Sequence, residues 1–320
     1  MPPQSILILG LGELATSILT SLIPLKPTTT TLTVLIRPTT FTSPSPLKSH
    51  QLTSLSSLGV TFLPADILTL TPKDLTTLFT PYTLIISALG FASPSSALQT
   101  KITRAVLAAK VPRYIPWQFG VDYDIIGRGS GQPVWDEQLD VRDLLRAEGH
   151  ETKWTIISTG LFTSFLFEPS FGIVGVEGGK IVVRALGGWE NRVTVTSPGD
   201  IGRITAEVVL GEWEEGSRIL FTAGDTVSYS RLAQALEEKL GVEVGRVLWD
   251  VEFLERELRD DPDDNMKRYR VAFAKGRGVS WDKERSFNVE KGLEVVDVED
   301  FVERNMERIR QGEELSEKWK

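Results

Sequence analysis

A glycine-rich segment near the N-terminus has the spacing of a phosphate-binding turn. The segment is Gly10-Leu11-Gly12-Glu13-Leu14-Ala15, a G-x-G-x-x-A pattern. Gly10 permits a tight turn, Gly12 lets the backbone approach a pyrophosphate, and Ala15 lets a helix pack closely on the preceding strand. The N–H groups of that helix attract phosphate oxygens. The pattern predicts a dinucleotide site that uses Gly10, Leu11, Gly12, Glu13 and Leu14, with the Glu13 carboxylate turned outward. A purely structural turn is the alternative.

Arg37 follows the next apolar run, where NAD-specific proteins usually place an Asp or Glu that binds the ribose hydroxyls. A guanidinium can instead pair bidentately with a 2′-phosphate and stack on adenine. The segment Ile36-Arg37-Pro38-Thr39-Thr40 holds no carboxylate that would repel such a phosphate. The sequence therefore predicts NADP(H) as the cofactor. The alternative is that Arg37 is a solvated charge after a strand.

Short apolar runs alternate with helical patterns through the first half of the chain. The runs predicted as strands are Ile6–Leu9, Leu32–Ile36, Val60–Leu63, Leu84–Ala88, Tyr114–Ile115 and Trp154–Ser158. Helices are predicted up to about Leu22, late in residues 40–58, and over Asp74–Phe79, Ser96–Lys110 and Val134–Glu148. Continuous apolar strands indicate a parallel sheet covered on both faces. We therefore predict an α/β fold with a Rossmann-type doubly wound parallel sheet, and ligands at the carboxyl ends of its strands.

After residue 160 this alternation ends. The patterns predict a hairpin in Gly172–Arg184, a strand over Arg192–Thr196, and helices over Asp200–Leu210, Tyr229–Leu240 and Val251–Arg259. This mixture indicates a smaller mixed α/β substrate domain. We predict an NADP-binding domain over residues 1–160, with part of 188–212, and an interleaved substrate-binding domain over residues 161–320.

Further cofactor contacts are expected where other strands end. Those assigned to the cofactor site are Ser87, Ala88, Leu89, Gly90, Trp117, Gln118, Phe119, Thr159, Gly160 and Phe162. Aromatic side chains also cluster near the expected nicotinamide end, where they could line a pocket for a flat or polycyclic ligand. The pocket candidates are Phe91, Trp117, Trp135, Phe162 and Phe165. Phe167 belongs to the same aromatic set, and ordinary core packing is the alternative for each member.

Composition narrows the classes of function. The chain has no cysteine and two histidines, so thiolate chemistry is excluded and no metal site is expected. A net charge of −8 argues against nucleic acid and anionic membrane surfaces as partners. Without a signal-like apolar run near the N-terminus, we expect a cytoplasmic protein, monomeric or homodimeric, whose partner is a small-molecule substrate.

Four segments together carry a resemblance to known proteins. Gly10–Ala15, Arg37, Val111–Gly120 and Val193–Gly202 resemble the NmrA-like and isoflavone reductase-like families of atypical short-chain dehydrogenases. Residues 116–124 and 159–169 look like the fungal members that are often found in specialised metabolism. The resemblance covers roughly residues 4–210. It implies a Rossmann domain, NADPH, a substrate cleft between two domains, and hydride transfer to an aromatic-derived ketone, enone or related acceptor.

The resemblance also implies a basic residue that this chain does not have. In the plant reductases a lysine lies on the helix after the Phe-Gly motif, and Gln138 occupies that position here. Gln118 stands where those reductases typically carry Glu. No tyrosine is followed by lysine four residues later, so the standard short-chain dehydrogenase pair is missing as well.

The proton donor is therefore left open among three side chains. Gln138 could donate a neutral hydrogen bond to a developing oxyanion, whereas Tyr123 or Asp122 could relay a proton. An exposed helix position is the alternative for Gln138, and a turn or helix cap is the alternative for Asp122.

These features favour an NADPH-dependent reductase of a small aromatic or polycyclic ketone, enone, quinone or imine in specialised metabolism. A non-catalytic NADP(H)-sensing regulatory protein and an NADP(H)-binding cyclase or isomerase remain alternatives.

Overall fold

The strands of the first half follow the apolar pattern. The computed structural model describes residues 4–90, 97–211 and 216–315. Each strand predicted before residue 160 is confirmed to within one residue at either end. The strands are β1 (Ser5–Leu9), β2 (Thr31–Ile36), β3 (Val60–Pro64), β4 (Leu84–Ser87), β5 (Arg113–Ile115), β6 (Lys153–Ser158), β7 (Leu161–Phe162), β8 (Val174–Glu177), β9 (Lys180–Leu186), β10 (Arg192–Thr196), β11 (Arg218–Phe221), β12 (Asp225–Ser228) and β13 (Gly245–Trp249).

The predicted helices also form, and shorter ones join them. The helices are α1 (Glu13–Leu22), α2 (Pro38–Thr42), α3 (Pro46–Ser57), α4 (Pro72–Phe79), α5 (Leu98–Ala108), α6 (Tyr123–Ile126), α7 (Pro133–Glu148), α8 (Pro198–Leu210), α9 (Tyr229–Leu240), α10 (Val251–Asp260), α11 (Asn265–Ala274), α12 (Phe287–Glu290), α13 (Val298–Arg304) and α14 (Met306–Arg310). Ser228 accepts a hydrogen bond from the Arg231 amide and caps α9, as the sequence predicts.

Seven strands form one sheet in the order β3-β2-β1-β4-β5-β6-β11, and every adjacent pair is parallel. Both faces of this sheet are covered. Ile6 and Ile8 of β1 pack with α1, α3 and α8, whereas Leu7 and Leu9 pack with α4, α5 and α7. Because neighbouring side chains of a strand point to opposite faces, the apolar run at residues 6–9 supplies both layers. The predicted Rossmann-type doubly wound sheet is confirmed.

The second half forms two smaller mixed sheets, β12-β10-β7 and β13-β9-β8. The predicted hairpin is β8 and β9, which pair antiparallel across Gly178 and Gly179, both with positive φ. Helices α9, α11 and α13 cover these sheets and share their core. Helix α8, from the second half of the chain, packs on α1 of the first layer. A Cβ on Gly202 of α8 would lie 2.3 Å from the Ser17 carbonyl, so glycine allows this close contact.

Strand β11 and helix α11 are two of the elements that the sequence pattern does not predict. Strand β11 completes the large sheet although it lies beyond the 188–212 segment assigned to that layer. Its four residues are all half-buried, so they lack the apolar run that marks the other strands. Helix α11 was missed because charged residues interrupt its apolar pattern.

Candidate functional site

The turn after β1 requires a glycine at its first position. Gly10 has a φ of +93°, and a Cβ there would lie 2.8 Å from Cδ2 of Leu89. The Gly10 amide donates to the Leu35 carbonyl at 2.9 Å, which ties the turn to β2. The turn is thereby fixed at the carboxyl ends of β1, β2 and β4.

Helix α1 begins directly after the glycine-rich turn. Gly12 is its N-cap residue and supplies no capping side chain, and a Cβ on Gly12 would meet no atom within 4 Å. The amides of the first helical turn have no partner within the helix. Leu14 and Ala15 are buried in the core, and Leu14, which was predicted to contact the cofactor, lies outside the lining of the adjacent cavity. Glu13 opens the helix and lies outside the lining of the adjacent cavity.

A cavity of about 500 Å³ lies beside this turn, and we call it the groove. It is lined by Gly10, Leu11, Gly12, Leu35, Ile36, Arg37, Thr40, Lys48, Ala65, Asp66, Ile67, Leu68, Leu89, Gly90 and Leu98. Arg37 is exposed at the end of β2. The residues present therefore fit a dinucleotide phosphate, because the glycine-rich turn that precedes a helix N-terminus and a guanidinium share one concave surface.

Lys48 is a groove residue that sequence analysis missed. It lies on α3, and its Nζ donates to the Leu11 carbonyl at 2.9 Å and to Oε1 of Gln51 at 2.5 Å. Burial lowers the pKa of Lys48. The available signal was that Lys48 is the sole Lys or Arg between Arg37 and Lys73. It places a second cation on the same lining as Arg37.

The residues predicted at the end of β4 separate into two pairs. Ser87 and Ala88 are buried beneath the groove, and the Ser87 hydroxyl lies 3.5 Å from Oε1 of Gln99. Leu89 and Gly90 line the groove itself. Gly90 also lines a second cavity, so the two cavities meet at a residue without a side chain. The next residue, Phe91, was predicted to line the pocket and lies outside the described residues.

The second cavity, of about 360 Å³, is the aromatic pocket. It is lined by Gly90, Trp117, Phe119, Gly120, Val121, Tyr123, Trp135, Gly160, Leu161, Phe162, Phe165, Asn265, Met266, Tyr269 and Phe273. Four predicted pocket residues, Trp117, Trp135, Phe162 and Phe165, are brought together here. Phe167 instead packs on Phe301 with ring centroids 5.8 Å apart. Among the described lining residues there is no Asp, Glu, Lys, Arg or His.

Of the residues after β6, Thr159 is fully buried and its carbonyl accepts a hydrogen bond from the Thr196 hydroxyl at 2.8 Å. Gly160 and Phe162 reach the pocket lining. Gly160 has a φ of +68°, and a Cβ there would lie 2.1 Å from the Thr194 carbonyl oxygen. This contact holds the floor of the pocket against β10.

Tyr123 and Asp122 are neighbours with different surroundings. Tyr123 lines the pocket, and its hydroxyl would lie 2.6 Å from a Cβ on Gly120. Burial raises the pKa of Tyr123, so the phenol stays protonated near neutral pH. Asp122 caps α6 by accepting from the Ile125 amide at 3.4 Å, and its Oδ1 lies 3.7 Å from Nη1 of Arg142. Asp122 lies outside the pocket lining, and its predicted alternative as a helix cap is confirmed.

Gln138 is completely buried, so the alternative of an exposed helix position is wrong. Among the described residues, neither the nitrogen nor the oxygen of its side-chain amide has a hydrogen-bond partner. An unpaired buried amide is costly, and such groups in native proteins usually face a ligand, water or catalytic partner. The structure therefore marks Gln138 as a polar group that its protein surroundings do not satisfy.

A hydrogen-bonded chain fixes the backbone of Gln138. Nε2 of Gln118 donates to the Gln138 carbonyl at 2.8 Å, and Oε1 of Gln118 accepts from Nε of Arg142 at 2.8 Å. Arg142 is fully buried and also pairs with Asp124, with 2.7 Å between Nη1 and Oδ2. The hydrogen bond from Arg146, followed by the charge of Arg142, lowers the pKa of Asp124. Gln118 is thus a supporting residue with no place in either cavity lining.

The pocket takes several lining residues from α11, which the sequence did not single out. They are Asn265, Met266, Tyr269 and Phe273. Within the described ranges, no group of three or more His, Cys, Asp or Glu is placed to hold a metal ion. No helix in those ranges has the length and apolar content to cross a bilayer.

Comparisons with known proteins agree with the resemblance seen in the sequence. The model of the NmrA-like family matches residues 3–278. An NmrA-like family domain-containing oxidoreductase of Gibberella moniliformis is 41% identical over 302 residues, which cover 93% of this chain and 97% of the relative.

Two solved structures of similar fold match over nearly the whole chain. AtPrR2, solved with NADP⁺ and (+)-pinoresinol, superposes with a TM-score of 0.77 at 16% identity, over 95% of this chain and 99% of that one. An isoflavone reductase superposes with a TM-score of 0.74 at 19% identity, over 94% of this chain and 99% of that one. These two matches show the fold. Because the family model spans most of the chain and the Gibberella relative aligns over nearly all of it, the chain belongs to the NmrA-like family.

Proposed function

We propose that the protein is an NADPH-dependent reductase of a small aromatic or polycyclic ketone, enone, quinone or imine in specialised metabolism. One observation carries this proposal: the groove and the aromatic pocket share Gly90. A dinucleotide in the groove would reach the pocket at the point where the wall has no side chain. The name of the 41% identical relative, an oxidoreductase, supports the same reaction class.

In this proposal the groove residues bind NADPH by its phosphates. The amides at the start of α1 bind the pyrophosphate, and Arg37 and Lys48 bind the 2′-phosphate. NADPH bound in this way supplies a hydride. That AtPrR2 was solved with NADP⁺ is consistent with this assignment on the shared fold.

The pocket residues position the acceptor and exclude water from it. Trp117, Phe162 and Phe165 orient a flat ring, and Tyr123 donates the proton that balances the hydride at an acceptor oxygen. Tyr123 is favoured over Asp122 because its side chain lines the pocket. Gln138 lies outside both cavity linings, so it is given no contact with the acceptor, although its side-chain amide is unpaired among the described residues. The hydrogen-bonded chain from Asp124 through Arg142 to Gln118 holds the backbone of Gln138 in place.

The direct test uses NADPH labelled with deuterium at the transferred position, and a panel of aromatic ketones, enones, quinones and imines. A reductase transfers deuterium into at least one product, with one NADPH consumed for each product formed. Product formation without NADPH consumption would contradict reduction and favour a cyclase or isomerase.

A second candidate function is a non-catalytic NADP(H) sensor. The observation that favours it is Gln138, a side chain without an ionisable group at the position of the plant reductase lysine. A sensor binds NADP⁺ and NADPH with different affinities and leaves every acceptor in the panel unreduced. Calorimetric titration with the two cofactors, run beside the labelling experiment, separates the two functions.

A further inference from the structure

Helix α11 presents a line of side chains to the aromatic pocket. Asn265, Tyr269 and Phe273 are four residues apart, so they lie along one face of the helix. All three line the pocket, with Met266 beside them. The helix therefore brings an amide and a phenol to a lining whose other described phenol is that of Tyr123.

The amide of Asn265 has a defined orientation. Nε2 of Gln132 lies 3.4 Å from the Asn265 backbone carbonyl and 3.1 Å from Oδ1 of its side chain. A backbone carbonyl can only accept, so the Gln132 atom beside it must be the NH₂ group. The side-chain atom of Asn265 that faces Gln132 must then be its oxygen. The NH₂ group of Asn265 is left as a donor, and no residue in the described ranges accepts from it.

The pocket offers donors and no charge. Tyr123 and Tyr269 both line it, and Trp135 contacts each ring edge-on with centroids 6.3 and 5.7 Å away. Burial raises the pKa of both phenols, and the neighbouring Tyr123 raises that of Tyr269 further. Both hydroxyls therefore stay protonated at neutral pH. A charged ligand would lose its hydration without gaining a counterion here.

We propose that Asn265 and Tyr269 bind an acceptor oxygen of a neutral, flat aromatic substrate and thereby select it over hydrocarbons and anions of the same shape. This inference rests on the proposed function for the identity of the pocket as a substrate site. A ligand without an acceptor leaves the Asn265 NH₂ group and the hydroxyl proton of Tyr269, both at half-buried positions, without an acceptor in the ligand, and this loss lowers its affinity.

Binding of three probes of one size tests the proposal without any turnover. The probes are 1-tetralone, a neutral ketone; tetralin, its hydrocarbon counterpart; and 1-naphthoate, an anion. Binding is measured by quenching of tryptophan fluorescence, since Trp117 and Trp135 line the pocket, both without cofactor and with saturating NADP⁺. We expect the ketone to bind about tenfold more tightly than the hydrocarbon, and the anion to bind more weakly than either.

Three variants and one control test whether Asn265 and Tyr269 cause the preference for the ketone over the hydrocarbon. Asn265→Asp keeps the oxygen that Gln132 binds and removes the NH₂ group, and Tyr269→Phe removes one hydroxyl. Each should reduce the ketone preference several-fold while tetralin binding stays unchanged. Asn265→Leu removes both functions of the amide and should behave like Asn265→Asp. The control is Tyr229→Phe, another buried tyrosine at the start of α9 and outside the pocket, which should leave the preference intact.

Several outcomes would overturn the inference. They are equal binding of ketone and hydrocarbon by the wild type, no saturable binding of either, tight binding of naphthoate, or an unchanged preference in both Asn265→Asp and Tyr269→Phe. Failure of the reductase proposal looks different. A protein that binds tetralone through Asn265 but transfers no hydride to any acceptor would refute reduction and leave this inference standing.

Discussion

The groove and the aromatic pocket are built in opposite ways. Gly10, Gly12 and Arg37 of the groove come from one strand, turn, helix and strand unit, and the ligand groups they suit are charged phosphates. The pocket takes its lining from segments as distant as Phe119, Phe162 and Phe273, and its described lining residues include no ionised side chain. A local unit can be recognised from its motif, whereas a surface assembled from distant segments depends on how those segments pack. The comparison can be tested by changes that should affect one region more than the other.

The largest expected effect is a difference in stability between Gly→Ala substitutions in the two regions. Gly160→Ala would place its Cβ 2.1 Å from a backbone oxygen, whereas Gly10→Ala would meet the end of a flexible Leu89 side chain at 2.8 Å. Both glycines have positive φ. We expect Gly160→Ala to lower the free energy of unfolding by about 4 kcal/mol and Gly10→Ala by about 2 kcal/mol.

Urea denaturation of the two variants measures this difference. Gly131→Ala is the control for backbone strain alone, because its φ is +94° and no atom lies within 4 Å of the added Cβ. A larger loss in Gly10→Ala than in Gly160→Ala would show that the pocket floor does not depend on its contact with β10.

The second effect concerns the charge of the groove. Arg37→Ala should weaken NADPH binding about 100-fold, because a bidentate pair with the 2′-phosphate is lost. NADH binding should change less than about threefold. Titration calorimetry with both cofactors gives the two losses, and Arg259→Ala, an exposed arginine at the end of α10, is the control. Equal losses for NADPH and NADH would contradict the assignment of Arg37.

The third effect lies in the buried chain beside the pocket. Asp124→Asn leaves the guanidinium of fully buried Arg142 with Asp122, 3.7 Å away, as its nearest carboxylate. We expect the free energy of unfolding at pH 7 to fall by about 2 kcal/mol. This is less than the ~3–5 kcal/mol typical of a fully buried pair, because the Asp124 side chain is 35% exposed.

The pH dependence of that loss follows from the pKa of Asp124. Because folding lowers this pKa, the stabilisation is present above the unfolded value and is lost as the pH falls through the folded value. The difference between wild type and Asp124→Asn should therefore shrink as the pH falls from 7 towards 2. Asp143→Asn, which breaks an exposed pair with Arg128, should change stability by less than about 0.5 kcal/mol throughout.

The smallest effect concerns Lys48. Lys48→Met should weaken NADPH binding about tenfold at low ionic strength, and by less as salt is added, because salt screens charges at a half-exposed site. Lys275→Met, on the opposite half of the molecule, is the control. Binding of 1-tetralone to the uncharged pocket should not depend on salt in the wild type or in either variant.

The groove is easier to predict from the sequence than the pocket, because its motif is local whereas the pocket is assembled from distant segments. Gly10, Gly12 and Arg37 lie within 28 residues of one another, and their meaning depends only on the strands beside them. Lys48 was not predicted as a groove residue because its helix, α3, is rich in Ser, Thr and Leu and has no clear apolar face. In the pocket, Trp117 and Phe162 could be proposed because they follow strands whose ends meet at one edge of the sheet.

Contacts between distant segments account for what the sequence did not reveal. Asn265 and Tyr269 share a helix with Lys267, Arg268 and Arg270, so their common face is hidden among charges until the helix is packed. Phe167 was placed with the pocket aromatics, but its partner, Phe301, lies far away in the chain. The resemblance located Gln138, whereas its burial without a partner depends on the packing of α7 against the sheet.

Gly90 also bears on how such a protein can change over time. The groove is confined to residues 10–98 and the pocket wall on α11 begins at Asn265, so the two linings have Gly90 as their shared described residue. Substitutions on α11 can alter the lining of the aromatic pocket while the lining of the groove stays untouched. Selection can therefore keep the groove constant while it varies the pocket wall on α11. New pocket specificities can arise without changes to the groove.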